Sequence, residues 1–161
     1  SKLGSELYLN YYNQTYGNPI LICRFFSLFG PYNRKQFVYD IIRKIIKKPK
    51  SIELSNPDSK RDFIFSKEAL NAMLYFCDRN DFNFETIDIG SGVSLSVFEL
   101  ANIIINHTGH TTEINKKSYE TKGDPDLQRS NISKLLDLGY KPVYDMEQSI
   151  KETVDWIIRD E

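Results

Sequence analysis

Two arginines beside predicted turns are the residues of this sequence best suited to bind an anion. Arg24 lies close to the end of an apolar run at residues 20–26, and Arg61 stands directly before Asp62 and a second apolar stretch. A guanidinium presents a fork of N–H donors that matches the oxygens of a phosphate. Because a salt bridge with a neighbouring carboxylate would use the same donors, chemistry alone leaves phosphate binding and ion pairing equally open.

A glycine-rich turn at residues 90–95 (GSGVSL) matches half of a dinucleotide-binding fingerprint. It follows a predicted strand and precedes a predicted helix. The third glycine position carries Leu95, whose side chain would obstruct close helix–strand packing, and no acidic strand end follows about 20 residues later. We therefore interpret the segment as a turn that leads into a helix, where Ser96 and Glu99 form a capping box.

Three other patterns have simpler explanations than chemistry. Residues 34–50 carry seven Lys and Arg side chains against Asp40 alone, which would suit a membrane surface or an anion site, but such a run is usually a solvated face. His107 and His110 have neither the spacing nor the Cys or carboxylate neighbours of a zinc site, so we predict no metal. The Asp-Pro-Asp at residues 124–126 imitates a metal-binding Asp-x-Asp of nucleotide-sugar transferases, but lone acid pairs are common in loops.

Composition limits the class of protein. The 161 residues are 40% hydrophobic and 27% charged, enough for one domain with a core. The net charge of −1 argues against a nucleic-acid binder, and no apolar run approaches the roughly 20 residues of a membrane-spanning helix. Cys23 and Cys77 have apolar neighbours, so we interpret them as small buried hydrophobes in a reducing compartment. We expect a cytoplasmic protein without a nucleic-acid or membrane partner.

Helical and strand patterns alternate along the chain and predict an α/β fold. Leu3, Leu7 and Tyr11, together with Tyr8 and Tyr12, recur at helical spacing and predict an opening helix with this stripe buried. The nearly all-apolar residues 20–26 are typical of a strand buried on both faces of a parallel sheet. Further helices are predicted over 35–47, from an N-cap at Ser66 to about 78, from Ser96, over 132–139 and from an N-cap at Asp145. The helix that follows Ser66 is predicted to have its apolar side at Ala69, Leu70, Met73, Leu74 and Cys77. Strands are predicted over 51–54, 62–65, 84–89 and 111–115.

Five stretches, taken in order, resemble one family: the extended short-chain dehydrogenase/reductases that act on nucleotide sugars, the NAD-dependent epimerases and dehydratases. Residues 1–17 resemble the active-site helix that carries Tyr-x-x-x-Lys, and residues 20–31 resemble the strand and turn Arg-Tyr-Phe-Asn-x-Tyr-Gly-Pro. Residues 60–70 resemble Arg-Asp-Phe-Ile-Tyr-Val-x-Asp, 87–104 resemble Asn-Ile-Gly-x-Gly with Ser-Val-x-Glu-Leu, and 123–142 resemble the late Gly-Asp segment. The likeness runs from residue 1 to about 158.

This resemblance implies the end of a Rossmann-type parallel sheet plus a small α+β substrate-binding lobe. Residues 1–33 would be the last part of the Rossmann domain with its active-site helix. Residues 34–161 would mostly form the nucleotide-sugar-binding lobe, and the chain would return to the sheet around 62–90. Lys2 falls on the lysine of Tyr-x-x-x-Lys, so we expect the tyrosine and the glycine-rich half to precede residue 1. The chain would then be the C-terminal half of an enzyme and inactive by itself.

The resemblance also implies roles for particular residues. In the family a tyrosine oxygen acts as base toward a sugar hydroxyl while NAD takes the hydride, and an ammonium lowers the pKa of the tyrosine and holds the nicotinamide ribose. Lys2 would be that ammonium, in a cleft shared with Arg61, and Phe26 would approach the nicotinamide with its backbone. NAD, or alternatively NADP, would be bound mainly by the preceding half. The residues implied for the nucleotide sugar are Ser27, Gln36, Phe37, Leu54, Arg61 and Asp124.

Departures from the family pattern keep alternatives open. Ser27 stands where Asn is usual, and Thr121 replaces an arginine near Asp124, unless Lys122 substitutes for it. The alternatives are an NADP-dependent nucleotide-sugar reductase and a truncated, non-catalytic binding or assembly module. The family also forms dimers through the lysine-bearing helix, so we expect a homodimer through the N-terminal helix, with its aromatic face at Tyr8, Tyr11 and Tyr12. Packing of that face on a further sheet is the alternative.

Overall fold

Helices and short strands alternate through the part of the chain that the structure describes. The computed structural model describes residues 1–79, 81–117 and 125–160. The helices are α1 (Lys2–Tyr16), α2 (Phe37–Ile46), α3 (Ser66–Cys77), α4 (Val97–Thr108), α5 (Ser133–Asp137) and α6 (Met146–Asp160). The strands are β1 (Ile20–Phe25), β2 (Ser27–Phe29), β3 (Ser51–Ser55), β4 (Lys60–Phe65), β5 (Phe84–Ile89), β6 (Ser94–Ser96) and β7 (Glu113–Lys117).

Parallel pairing dominates the sheets. Strand β1 pairs in parallel with β5, β2 with β4, and β3 with β7, while β6 runs antiparallel to β4. Ser27 lies opposite Phe63, and Arg61 lies opposite Leu95. Parallel strands joined through helices are the mark of an α/β protein, so the predicted fold class is confirmed.

Two hydrophobic cores hold these layers together. The first core lies among α2, α4 and α6 with β3 and β4, and its fully buried side chains include Ile42, Ile45, Leu100, Ile104 and Ile150. The second core joins α3, β5 and α5, and is built from the buried residues Ile64, Ala69, Ala72, Phe76, Ile87, Ile89, Leu135 and Tyr140. Strand β4 contributes to both cores because successive side chains point to opposite faces, so its position is fixed from two sides.

The opening helix is confirmed, but its predicted buried stripe is wrong. Leu7, Tyr8 and Tyr11 are 64–67% exposed, and Asn13 is the buried residue of α1. The Asn13 amide donates to the carbonyl oxygens of Asn18 and Asn83, at 2.7 and 3.0 Å. Helical spacing tells which side chains share a face, but not whether anything covers that face. Strand β1 pairs in parallel with β5, as expected for a strand of a parallel sheet, but its predicted burial on both faces is wrong, because its side chains are only partly buried or exposed.

Helix α3 is also rotated relative to the prediction. Its buried side chains lie at Ala69, Ala72 and Phe76, whereas Leu70 and Leu74 are about half exposed. Phe65 occupies the N-cap position and Ser66 is the first helical residue, with no side-chain cap. Cys77 is exposed and Cys23 is half-buried, which corrects the interpretation of both as buried. The desolvation of Cys23 raises the pKa of its thiol.

The other predicted elements are present with shifted ends. The Ser96–Glu99 capping box is confirmed, as is the cap of α6, where Gln148 N–H donates to the Asp145 carboxylate at 2.8 Å. Strands β2 and β6 have three residues each and were not predicted, because so short a segment has no detectable period. Among the described helices, none combines the length and apolar character needed to cross a membrane.

Candidate functional site

A cavity of about 550 Å³ lies where β2, β3 and β4 meet the first turns of α2 and α4. Its walls combine small polar side chains, one guanidinium and several apolar groups. The lining residues are Ser27, Leu28, Gln36, Phe37, Val38, Ser55, Asn56, Ser59, Arg61, Phe63 and Val97. The structure therefore brings together four of the predicted substrate residues, which are Ser27, Gln36, Phe37 and Arg61.

The N-terminus of α2 reaches this cavity. Gln36 occupies the N-cap position in an extended conformation, and Gln36, Phe37 and Val38 all line the cavity wall. The first N–H groups of a helix have no partner within the helix and carry its positive dipole end. The helix cannot turn away, because Val38 and Ile41 are buried in the first core. An anion in the cavity would thus meet a fixed set of N–H donors.

Arg61 supplies the positive charge of the cavity. Its Nη1 donates to the carbonyl oxygens of Lys60, at 3.0 Å, and Pro125, at 2.6 Å. Along β4, Arg61 and Phe63 both line the cavity, while Asp62 between them is completely buried. Phe37 stacks on Phe63 with 6.4 Å between ring centroids and 14° between planes. A flat apolar wall therefore stands next to the guanidinium.

The loop after β3 forms the opposite wall and is tied to α4. The Val97 and Phe98 N–H groups donate to the carbonyl oxygens of Ser59 and Pro57, at 3.1 and 2.9 Å. The α4 start is itself stabilised by the capping box, in which the Glu99 carboxylate accepts from Ser96 N–H at 2.7 Å. That hydrogen bond lowers the pKa of Glu99 below its ordinary value.

Ser27 lies at the edge of the cavity beside a segment that accompanies β4. The Ser27 hydroxyl is 3.5 Å from the Gln128 side-chain oxygen. Gln128 belongs to residues 125–130, which hydrogen-bond with Lys60: Lys60 N–H donates to Asp126 O at 2.8 Å, and Gln128 N–H donates to Lys60 O at 2.9 Å. At this edge of the cavity, Ser27 is therefore in contact with a segment that lies far from it in sequence.

Three further predicted site residues belong to the part of the chain that the structure describes, and none of them lines the cavity. Lys2 is exposed at the first residue of α1. We expected it to share a cleft with Arg61, but it does not line the Arg61 cavity. Phe26 is partly buried between β1 and β2, where its N–H donates to Ile89 O at 3.2 Å. Leu54 is 2% exposed in the first core, so its neighbour Ser55, not Leu54 itself, lines the cavity. Asp124 lies outside the described residues, as do Thr121 and Lys122.

Arg24 has the alternative role that the sequence left open. Its guanidinium forms a two-pronged ion pair with Glu6 of α1, with donor–acceptor distances of 2.9 and 2.5 Å. The pairing lowers the pKa of Glu6 and raises the pKa of Arg24. Arg24 therefore joins β1 to α1 and takes no part in the cavity.

The glycine-rich turn has a structural task. The N–H groups of Ser91 and Gly92 donate to the Asp62 carboxylate, at 2.7 and 3.1 Å. Because these amides already hold a carboxylate, they cannot cradle the pyrophosphate of a dinucleotide. The described part of the chain also contains no group of three or more His, Cys, Asp or Glu side chains that could hold a metal ion.

Three polar cavity residues, at the end of β3 and in the loop that follows it, were not predicted as site residues. Ser55, Asn56 and Ser59 were treated as part of a polar connection. Their signal was available, since a short polar loop with a proline follows a strand and precedes Arg61. The cavity can bind a molecule with an anionic group, held by Arg61 and the start of α2, and a flat ring near Phe37.

Comparison with known proteins gives a consistent result. The family model described as "NAD dependent epimerase/dehydratase family" matches residues 1–90. A putative UDP-glucose 4-epimerase of Methanocaldococcus jannaschii is 28% identical over 163 residues, which cover 98% of this chain and 52% of that protein. The chain therefore spans about half the length of this curated relative.

Solved structures share the fold. A UDP-N-acetylglucosamine 4-epimerase from Methanobrevibacter ruminantium, in complex with UDP-N-acetylmuramic acid, superposes with a TM-score of 0.85 at 27% identity, over 99% of this chain and 53% of that one. A UDP-glucose 4-epimerase from Thermotoga maritima, with UDP-glucose, gives a TM-score of 0.87 at 22% identity, over 99% and 52% of the two chains. At that lower identity the likeness shows the fold alone.

Proposed function

The chain belongs to the NAD dependent epimerase/dehydratase family, and from this premise we propose that it forms the nucleotide-sugar-binding, C-terminal half of an NAD-dependent nucleotide-sugar epimerase or 4,6-dehydratase. The observation that carries the proposal is the convergence of Arg61 and the α2 N-terminus on one cavity. Two cationic elements in a partly apolar cavity suit a diphosphate that is attached to flat rings.

We place the diphosphate between Arg61 and the first turn of α2. The fork of the guanidinium can donate to one phosphoryl group while the α2 N–H groups donate to the other. The nucleoside would then lie against Phe37 and Phe63, with the loop residues Ser55 and Asn56 beside the base. The sugar would extend toward Ser27 at the β2 edge.

NAD is the cofactor that membership of the family implies for the whole enzyme. NAD, when bound, accepts a hydride from the sugar and returns it. Of the described residues, Lys2 and Phe26 are those we propose at its nicotinamide end; Phe26 directly follows β1, and neither residue lines the Arg61 cavity. The glycine turn at 90–92 does not fit the pyrophosphate, because Asp62 occupies its amides. We expect this chain alone to bind nucleotide without turnover.

We propose that Lys2 assists proton transfer by lowering the pKa of a tyrosine, and that it does not itself react with the sugar. An ammonium beside a tyrosine favours the phenolate and so lowers the pKa of the tyrosine into the range useful for a general base. Exposure at the first turn of α1 leaves the Lys2 side chain accessible to such a partner. The Glu6–Arg24 ion pair holds α1 on β1 and thereby supports this position.

We also propose that the exposed face of α1 is a homodimer interface. Leu3, Leu7, Tyr8 and Tyr11 present contiguous apolar surface at helical spacing, and each is about two-thirds exposed. Exposed apolar patches of this kind mark interaction surfaces more often than solvated ones. The resemblance to the family favours a second copy of the helix as the partner.

Calorimetric titration of this chain with UDP, dTDP and uridine tests the function. We expect UDP or dTDP to bind and uridine to bind more weakly, because the diphosphate contributes through Arg61 and α2. Inorganic pyrophosphate, tested alone, separates the anion contribution from that of the nucleoside. The absence of heat with UDP and with dTDP would overturn the proposal and favour the alternative of a non-catalytic binding or assembly module.

A further inference from the structure

The buried carboxylate of Asp62 lies between the cavity residues Arg61 and Phe63 and takes no direct part in the proposed binding of a nucleotide sugar. We propose that Asp62 is a positioning residue, which holds residues 125–130 against β4 and thereby sets the place of the Arg61 guanidinium. The inference rests on the proposed nucleotide-sugar function of the cavity. Asp62 itself does not line the cavity, so it would act only through its neighbours.

Five donors converge on the Asp62 carboxylate. One oxygen accepts from the N–H and the hydroxyl of Ser91, at 2.7 and 2.8 Å. The other accepts from Gly92 N–H at 3.1 Å, from Ser130 N–H at 3.0 Å and from the Ser130 hydroxyl at 2.5 Å. Because Asp62 is 0% exposed, water cannot replace these partners. The carboxylate thus joins β4, the glycine turn and the segment that ends at Ser130.

That segment carries the contact of Arg61. The guanidinium donates to Pro125 O at 2.6 Å, and Pro125 opens the residues that run beside β4 and end at Ser130. The same segment carries Gln128, the neighbour of the Ser27 hydroxyl. Anchoring Ser130 on Asp62 therefore fixes two polar neighbours of the cavity at once. A guanidinium that is already oriented loses less freedom when it binds a diphosphate.

The contact between Asp62 and Ser130 leaves no room for a side chain at Gly90. A Cβ atom at Gly90 would lie 2.3 Å from the Ser130 hydroxyl oxygen, 2.6 Å from the Ser130 Cβ and 3.0 Å from an Asp62 oxygen. A side chain there must push Ser130 away, since the contact involves a Cβ and not only a flexible tip. Gly90→Ala is thus a second way to displace the segment, and it leaves the Asp62 carboxylate chemically unchanged.

Asp62→Asn tests the carboxylate itself without changing its size. Whichever way the amide is turned, its NH₂ group faces a backbone N–H, of Ser91 or of Ser130, and one anchor is lost. We expect Asp62→Asn and Gly90→Ala each to weaken UDP binding by about tenfold and to change uridine binding by less than about twofold, as loss of one well-placed phosphate contact implies.

Matched controls use the same chemical changes elsewhere. Asp137→Asn alters an exposed carboxylate at the last residue of α5, and Gly4→Ala adds a methyl group where nothing lies within 4 Å. Both controls should bind UDP and uridine as the unaltered chain does. Calorimetry measures UDP, ligand-observed NMR measures uridine, and circular dichroism verifies that each variant is folded.

The outcomes separate the two proposals. A selective loss of UDP affinity in both variants supports the positioning role, and if Asp62→Asn does not fold, Gly90→Ala decides. Unchanged UDP affinity in a folded variant, or an equal loss for UDP and uridine, overturns it, because a merely structural residue would not distinguish the two ligands. Failure of the unaltered chain to bind UDP would instead refute the proposed function, and this inference with it.

Discussion

Replacing Arg61 by alanine removes the guanidinium that the proposed diphosphate site depends on. Hydrogen bonds to charged groups contribute about 1.5–3 kcal/mol each, and the partial exposure of Arg61 places its contribution at the lower end. A loss of about 1.5–2 kcal/mol corresponds to an affinity for UDP about 10–30 times weaker. The free energy of unfolding should change by less than about 1 kcal/mol, because the two carbonyl partners of Arg61 can be hydrated instead.

Titration calorimetry at two salt concentrations measures this change. UDP affinity of the unaltered chain should fall as salt rises, and this dependence should be weaker in Arg61→Ala because one phosphate contact is gone. Arg61→Lys keeps the charge but loses the fork of donors, so we expect an intermediate affinity. Arg24→Ala is the matched control, since Arg24 is held by Glu6 on the surface and does not line the cavity.

Three results would refute the reasoning. UDP could bind Arg61→Ala within about twofold of the unaltered chain, a difference too small for a lost charge-assisted hydrogen bond. Uridine affinity could fall as much as UDP affinity, which would indicate a damaged fold. Arg24→Ala could weaken UDP binding to the same extent, which would show that only overall charge matters.

Three further predictions concern the walls and the surface of the molecule. Glu99→Gln should lower the free energy of unfolding by about 0.5–1 kcal/mol at pH 7, because the glutamine amide can still accept from Ser96 N–H but places no negative charge at the N-terminus of α4. The pKa of Glu99 is held below its ordinary value of 4.5, so this stabilisation is complete above pH 4.5 and disappears as the pH falls through the lowered pKa. Thermal unfolding of both proteins between pH 7 and 3.5 measures the difference in stability. A difference that does not change with pH would contradict the prediction. Phe37→Ala should weaken the binding of UDP and of uridine alike by about two- to twelvefold, since an aromatic contact contributes about 0.5–1.5 kcal/mol. A loss confined to UDP in calorimetry would contradict the proposed stacking. Leu7→Glu combined with Tyr11→Glu should convert a homodimer into a monomer in light scattering, and an unchanged mass would argue against the α1 interface.

Local signals in the sequence were sufficient for most secondary structure. The Ser96–Glu99 capping box, the glycine at the end of α1 and the strand patterns around β1 and β5 were all predicted, because caps and alternation act over a few residues. Predictions about burial were less reliable. The leucines of α3 and the apolar face of α1 are exposed, because burial depends on neighbours that a local pattern does not contain.

For the candidate site, the resemblance to the family predicted more of the cavity residues than the chemistry of the residue types did. Ser27, Gln36, Phe37 and Arg61 were each matched to a family position, and the structure collects them in one cavity. Chemistry alone could not choose between Arg24 and Arg61, since both are arginines beside turns. The choice depends on which carboxylate or carbonyl lies within reach, and that is a matter of tertiary contacts.

The order and type of the main elements could be predicted from local patterns, since helix caps, apolar runs and turn residues act within a few positions of the chain. Three contacts could not be predicted in this way: the pairing of Glu6 with Arg24, the binding of Asp62 by the glycine turn, and the position of residues 125–130 beside β4. These contacts join segments between 18 and 68 positions apart. Their formation depends on how two hydrophobic cores pack β4 between them, a property of the whole chain that no local stretch encodes.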